Sequence, residues 1–160
     1  MKKNAKILWL GAIAMALAGL VAASAGMPIQ VGLFGGNAQI CAPETEITGL
    51  RLNLPYSEND TMTGLDLGIV GGGGSISGLR LNAINLSDEH SGGVEFGLVN
   101  VDKGEMVGWQ CGIYNYAGSM RGFQLGLINR CGSLYGVQIG LVNMIESGKV
   151  AMLPIVSWAF

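Results

Sequence analysis

The stretch GFQLGLINRCGSLYGVQIGLVN, residues 122–143, contains the same eight-residue phrase twice, as GFQLGLIN from Gly122 and as GVQIGLVN from Gly136. Successive copies of this phrase start 14 or 15 residues apart along the chain. A short period that is kept over many copies is typical of a repeat architecture in which each copy is one structural unit. Working outward from this stretch, five earlier copies start at Gly49, Gly64, Gly78, Gly93 and Gly108, which makes seven in all.

Apolar and polar residues alternate within each phrase. The second, fourth and sixth positions are apolar in every copy, whereas the third position is always polar. This period of two predicts a β-strand with one buried face. We therefore expect the apolar positions to face the core and the third position to lie exposed as a polar column, made of Arg51, Asp66, Arg80, Glu95, Gln110, Gln124 and Gln138.

The eighth position of the phrase is Asn in the last five copies, where a turn is expected, because Asn bonds nearby backbone and tolerates left-handed geometry. If the copies stack in register, these residues form a buried amide ladder at a corner. The same stacking places Asp66 between Arg51 and Arg80, so that opposite charges alternate. The ladder consists of Asn85, Asn100, Asn115, Asn129 and Asn143.

Two all-β architectures fit a strand every 14 to 15 residues. The first is a parallel β-solenoid or β-roll of about seven repeats with end caps, and the second is a small up-and-down β-barrel of 8–9 strands. The links between phrases are alike in length and composition, which favours the solenoid, because outer-membrane barrels alternate short turns with longer loops. The barrel is favoured by residues 152–160, which resemble a closing barrel strand with Trp158 and Phe160 on one face.

The chain divides into four predicted parts, of which the first is a signal peptide at residues 1–25. Three lysines there precede an uncharged apolar run, and small residues match a cleavage signal. The run is almost long enough for a permanent membrane anchor, but its small-residue end favours cleavage. We expect export to the periplasm, the cell surface or the outer membrane. The other parts are an N-terminal strand or cap at 26–48, a repeat domain at 49–147 and a C-terminal strand or cap at 148–160.

Charge and cysteine content limit the partners. Removal of residues 1–25 leaves six basic against eleven acidic residues, a formal charge of −5, which excludes the basic surface that nucleic-acid binding needs. Cys41, Cys111 and Cys131 lack metal-site spacing. In an oxidising compartment one pair can bridge, and free buried thiols fit the sequence equally well.

The sequence predicts no catalytic, cofactor-binding or metal-binding residue. The single histidine, His90, lies beside Asp88 and Glu89 in a polar link without convergent partners. The glycines at 71–74 lack the Gly-Lys-Ser/Thr sequence that follows in a phosphate-binding loop. We therefore expect a protein that is not an enzyme and needs no cofactor.

The phrase Gly-X-Gln-X-Gly-Leu-X-Asn resembles a family of exported bacterial surface-repeat proteins of uncharacterised function. The resemblance extends over residues 28–160 and is clearest at GFQLGLIN and GVQIGLVN. It implies an exported surface location and transfers no site residue. The early copies depart from the pattern, because Asn53 and Asn82 replace the central Gly and because Tyr56 and Gly71 replace the final Asn.

The function expected from the sequence is a non-enzymatic exported structural or interaction module, which binds a cell-envelope component or a surface ligand through its flat polar face. The alternative is a small integral outer-membrane β-barrel protein whose polar column lines the lumen.

Overall fold

A computed structural model describes residues 26–34, 38–148 and 152–160, which form an all-β fold with one open mixed sheet. The predicted signal peptide lies outside the described residues. No helix long and apolar enough to cross a membrane occurs among the residues described. The five strands are β1 (Met27–Phe34), β2 (Ile47–Ser87), β3 (His90–Phe96), β4 (Val99–Ile145) and β5 (Met152–Ala159).

Most strand pairs are parallel. Strand β1 pairs with β2, β2 with β3 and β4, and β3 with β4, all in parallel, whereas β5 is antiparallel to β4. Equivalent positions of successive phrases are partners, since Gly93 pairs with Gly78 on one side and with Gly108 on the other. The up-and-down barrel would instead pair successive strands antiparallel.

The long strands β2 and β4 bend back beside themselves. Within β2, Arg51 Nη2 lies 2.7 Å from Asp66 Oδ2, although fifteen residues of straight strand would span about 50 Å. Within β4, Asn115 and Asn129 are joined by a side-chain hydrogen bond of 2.8 Å. The chain therefore returns beside its own earlier course after one phrase and one link.

The first glycine of each phrase allows this close return. Its φ angle is positive in all seven copies, for example 109° at Gly93 and 135° at Gly108, a region that side chains with a Cβ rarely adopt. A Cβ on Gly108 would also collide with the carbonyl oxygen of Gly93. The invariant start of the phrase is thus explained by backbone packing between neighbouring segments.

The expected assignment of the two faces is wrong, because the polar column points inward and the apolar positions point outward. Gln124 is 1% exposed, whereas its neighbour Leu125 is 53% exposed. Alternation identifies which residues share a face, but it does not say which face is inside. The polar side chains lie inside because each finds hydrogen-bonding partners on the next segment, which removes most of the cost of burial.

The apolar part of the interior comes from the links. The residue two places before a phrase is buried in most copies, as in Met62, Met106 and Met120. These side chains form two clusters, one in the N-terminal half and one in the C-terminal half. Inside the fold, the polar column therefore faces a column of apolar side chains that the links contribute. The first cluster comprises Cys41, Ile47, Met62 and Ile76, and the second Met106, Ala117, Met120, Cys131 and Ile145.

Both edges of the sheet carry features that hinder further strand addition. At the N-terminal edge, Ile40 N donates a hydrogen bond of 3.1 Å to Val31 O of β1. At the C-terminal edge, β5 contains Pro154, which lacks an N–H, and Ile155, whose φ is 71°. Such features blunt edge-to-edge pairing.

Candidate functional site

An extended apolar surface, here named the outer apolar face, is exposed on the described part of the chain. It is formed by the second, fourth and sixth positions of the seven phrases. Its side chains are exposed or half-buried, and none is charged or polar. Leu98 is 56% exposed and Leu141 is 67% exposed. The face consists of Leu50, Leu52, Leu54, Leu65, Leu67, Ile69, Leu79, Leu81, Ala83, Val94, Phe96, Leu98, Trp109, Cys111, Ile113, Phe123, Leu125, Leu127, Val137, Ile139 and Leu141.

The end strands continue this face. In β1, Ile29 is the partner of Leu50 and is 52% exposed. In β5, Trp158 is the partner of Val137 and is 64% exposed. The outer apolar face therefore extends from one edge of the described sheet to the other.

Aromatic side chains concentrate toward the C-terminal end of the face. The ring centroids of Trp109 and Phe123 lie 5.4 Å apart, and those of Tyr135 and Phe160 lie 5.7 Å apart. Phe123, Tyr135 and Phe160 line a shallow groove of about 740 Å³. This groove widens the outer apolar face toward the links.

The charged surface lies on a separate side, here called the link face, which is formed by the outward side chains between phrases. Its exposed cations are paired: Lys103 Nζ lies 2.6 Å from Asp88 Oδ1, and Arg121 Nε lies 2.9 Å from Glu105 Oε1. Arg130 similarly pairs with Glu146 at 2.7 Å. The molecule is thus amphipathic, with one face free of charge and one on which the described cations are paired with carboxylates.

The N-terminal half of the interior contains a buried ionic network. Asp66 lies between Arg51 and Arg80 at 2.7 and 3.2 Å, and Arg80 Nη1 reaches Glu95 Oε1 at 2.8 Å. The predicted order of these residues is confirmed, but all four are buried rather than exposed. Burial alone would raise the pKa of Asp66, yet the hydrogen bonds and charge of Arg51, with the charge of Arg80, outweigh it and lower that pKa.

The network ends at a carboxyl group that the sequence did not point to. Asp102 is fully buried, and Gln110 Nε2 donates to its Oδ2 and, at 3.3 Å, to Glu95 Oε2. Burial and the negative charge of Glu95 raise the pKa of Asp102 well above its usual range. Two arginines thus face three buried carboxyl groups, and the raised pKa of Asp102 favours its neutral form.

The C-terminal half of the interior is built from amides. Gln138 Nε2 donates to Gln124 Oε1, and Gln124 Nε2 donates to Gln110 Oε1, both at 2.7 Å. The predicted buried Asn ladder is also confirmed, with links of 2.7 to 2.8 Å from Asn85 through Asn143. Each amide supplies both a donor and an acceptor, so identical residues satisfy one another when stacked.

In the early copies, Asn at the fifth position of the phrase extends the amide ladder. Asn53 Nδ2 donates to Asn82 Oδ1 at 2.8 Å, and Asn82 Nδ2 donates to Asn85 Oδ1 at 2.9 Å. A Cβ on Gly71 would lie 2.8 and 2.9 Å from the amide nitrogens of Asn82 and Asn53. The departures from the phrase therefore compensate for one another, because Gly71 at the eighth position of the second copy leaves room for Asn53 and Asn82 at the fifth position of the neighbouring copies.

The reactive residues considered from the sequence do not converge on one site. His90 Nδ1 lies 3.9 Å from Glu105 Oε2 on the exposed link face. The glycines at 71–74 lie inside β2. All three cysteines are free. Burial raises the pKa of the Cys111 thiol, and burial together with Glu146 raises that of Cys131 to about 12.

The polar column, which the sequence predicts to be the binding surface, is buried, whereas the outer apolar face was not predicted from the sequence. A signal for this arrangement is present in the phrase, because Gly or Asn occupies the fifth position of every copy and the eighth position of all but the first, and these residues fit a crowded polar interior. Among the residues that the structure describes, no group of three or more His, Cys, Asp or Glu side chains is arranged to hold a metal ion. Comparison with known proteins gave no family model, no curated protein and no solved structure that matches this chain.

Proposed function

We propose that this chain is a non-enzymatic, exported interaction module of the cell envelope, which binds its partner through the outer apolar face. The observation that carries the proposal is the extent of that face, which crosses the whole described sheet without a charged side chain. Large contiguous apolar patches on proteins mark interaction sites, because their exposure to water is unfavourable.

The architecture proposed with this function is a parallel β-solenoid whose end segments act as caps. Parallel pairing of β1 to β4 supports it, as do the side-chain ladders between residues 14 or 15 positions apart. The same pairs disfavour the up-and-down barrel. A solenoid suits an interaction module, because stacked repeats present a long and regular surface.

Export is supported by the features of residues 1–25 and by the resemblance to exported surface-repeat proteins. Mass spectrometry of protein recovered from the cell envelope should give a chain that begins at Gly26. Protein that is found only in the cytoplasm with residues 1–25 attached would contradict export.

The proposed binding surface can be tested inside the envelope with Cys111, the half-buried thiol on the outer apolar face. A bulky hydrophilic maleimide is applied to isolated envelopes and, separately, to the protein after its release from the envelope and dilution into detergent-free buffer. If the face is covered in the envelope, Cys111 should react several-fold more slowly there. A Cys111→Ser/Lys103→Cys variant moves the thiol to the exposed link face and should react equally in both samples. Equal reactivity of Cys111 in both samples would contradict the proposal.

A further inference from the structure

We propose that the occupant of the outer apolar face is a second copy of this chain, in a closed face-to-face dimer. This inference rests on the proposed function, since it names the partner of the same surface. Three properties of the described residues carry it: the size of the face, its charge and its regular spacing.

The size of the face matches what a stable dimer buries. Strand β1, the seven phrases and β5 are nine neighbouring segments, so at strand spacing the face measures about 40 Å by about 20 Å, or about 800 Å². Stable protein–protein interfaces bury about 800 Å² on each partner. An aliphatic and aromatic composition without charge is typical of obligate interfaces, which resemble a divided core.

Charge distinguishes a second copy from an anionic membrane surface. Adsorption to anionic headgroups needs accessible basic residues, but Lys103, Arg121 and Arg130, on the described surface, are each paired with a carboxylate. The other described arginines, Arg51 and Arg80, are buried. Two copies of an uncharged face, in contrast, meet without desolvating any charge.

The spacing of side chains makes the face complementary to itself. Each of its rows repeats from one segment to the next at about 4.8 Å, and a second copy has the same period, so the side chains of two faces interdigitate along their whole length. Stacked sheets in β-sandwiches pack in this way at about 10 Å. A two-fold axis closes such an assembly at two copies. Growth at the sheet edges is hindered by Pro154 and by the Ile40–Val31 hydrogen bond.

The test is sedimentation velocity on the protein purified as the cell produces it, in detergent-free buffer over a wide concentration range. The wild-type chain should sediment with twice the monomer mass, and Cys111 should react more slowly as concentration rises. Leu125→Lys/Leu127→Lys should give a folded monomer, recognised by strand circular dichroism and by an unreactive Cys131. The control variant Glu146→Arg on the link face, away from the groove, should remain dimeric.

Other outcomes overturn the second copy and separate it from the proposed function. A wild-type monomer with Cys111 equally reactive at all concentrations contradicts the dimer, as does open-ended assembly. If that monomer binds neutral phosphatidylcholine vesicles and Cys111 becomes protected there, the occupant is lipid instead. If Cys111 is protected in envelopes but the purified protein does not dimerise, the proposed function holds and the outer apolar face binds another partner. Because the concentration dependence is measured on the wild type, the test stands even if the double variant does not fold.

Discussion

The N-terminal and C-terminal halves of the interior fill the same inward position with different chemistry. In the N-terminal half, Arg51, Asp66, Arg80 and Glu95 form an ionic column, whereas in the C-terminal half Gln110, Gln124 and Gln138 form an amide ladder. An amide is both donor and acceptor, so any number of copies stack. A charged residue needs an opposite neighbour, so the ionic half depends on the order of its residues and on its proton count.

The largest effect is expected from reversing a charge in the ionic half. Asp66→Arg places three buried cations in a row and removes the carboxylate that pairs with both Arg51 and Arg80. Because an unpaired buried charge is strongly unfavourable, the free energy of unfolding should fall by at least about 3–5 kcal/mol. Urea denaturation measures the loss. Glu146→Arg, which reverses an exposed pair with Arg130, should cost no more than about 1 kcal/mol, and equal losses would show that Asp66 is not buried.

A smaller loss is expected when one rung of the amide half is removed. Gln124→Ala and Asn129→Ala each leave buried amide partners unsatisfied, which should lower the free energy of unfolding by about 1–3 kcal/mol. Chemical denaturation of the two variants checks this value. Ser133→Ala, on the exposed link face, should stay within about 0.5 kcal/mol. A Gln124→Ala variant as stable as Ser133→Ala would contradict the ladder.

Asp102, which lies between the ionic half and the amide half of the interior, should make the stability of the fold depend on pH. Because the pKa of Asp102 is raised in the folded chain, the folded state binds a proton that the unfolded state releases. The stabilisation that comes from this proton is complete below the pKa of Asp102 in the unfolded chain, about 4. It is lost as pH rises through the pKa of Asp102 in the folded chain. Asp102→Asn should flatten this decline and raise stability at alkaline pH. Denaturation midpoints across a pH series provide the measurement, and an unchanged decline in the variant would assign it to another group.

Much of the fold follows from the sequence, because local periodicity determines strands and their mutual register. The phrase and its constant spacing predicted the all-β fold, the order around Asp66 and the Asn ladder. The inward direction of Gln124 was not predicted, because the rule that apolar side chains are buried fails where polar ones satisfy each other in stacked copies. The role of Asp102 was also missed, since it lies in a link, outside the repeated phrase.

Two adjacent residues, Gln124 and Leu125, distinguish a polar interior with an apolar exterior from the opposite arrangement. The measurement is the cooperative unfolding of Gln124→Lys and Leu125→Lys, followed by circular dichroism. Gln124 is buried and Leu125 is 53% exposed, so Leu125→Lys should retain a cooperative transition with native strand content, whereas Gln124→Lys should lose it. A folded Gln124→Lys variant beside an unfolded Leu125→Lys variant would show that the apolar positions, and not the polar column, form the interior.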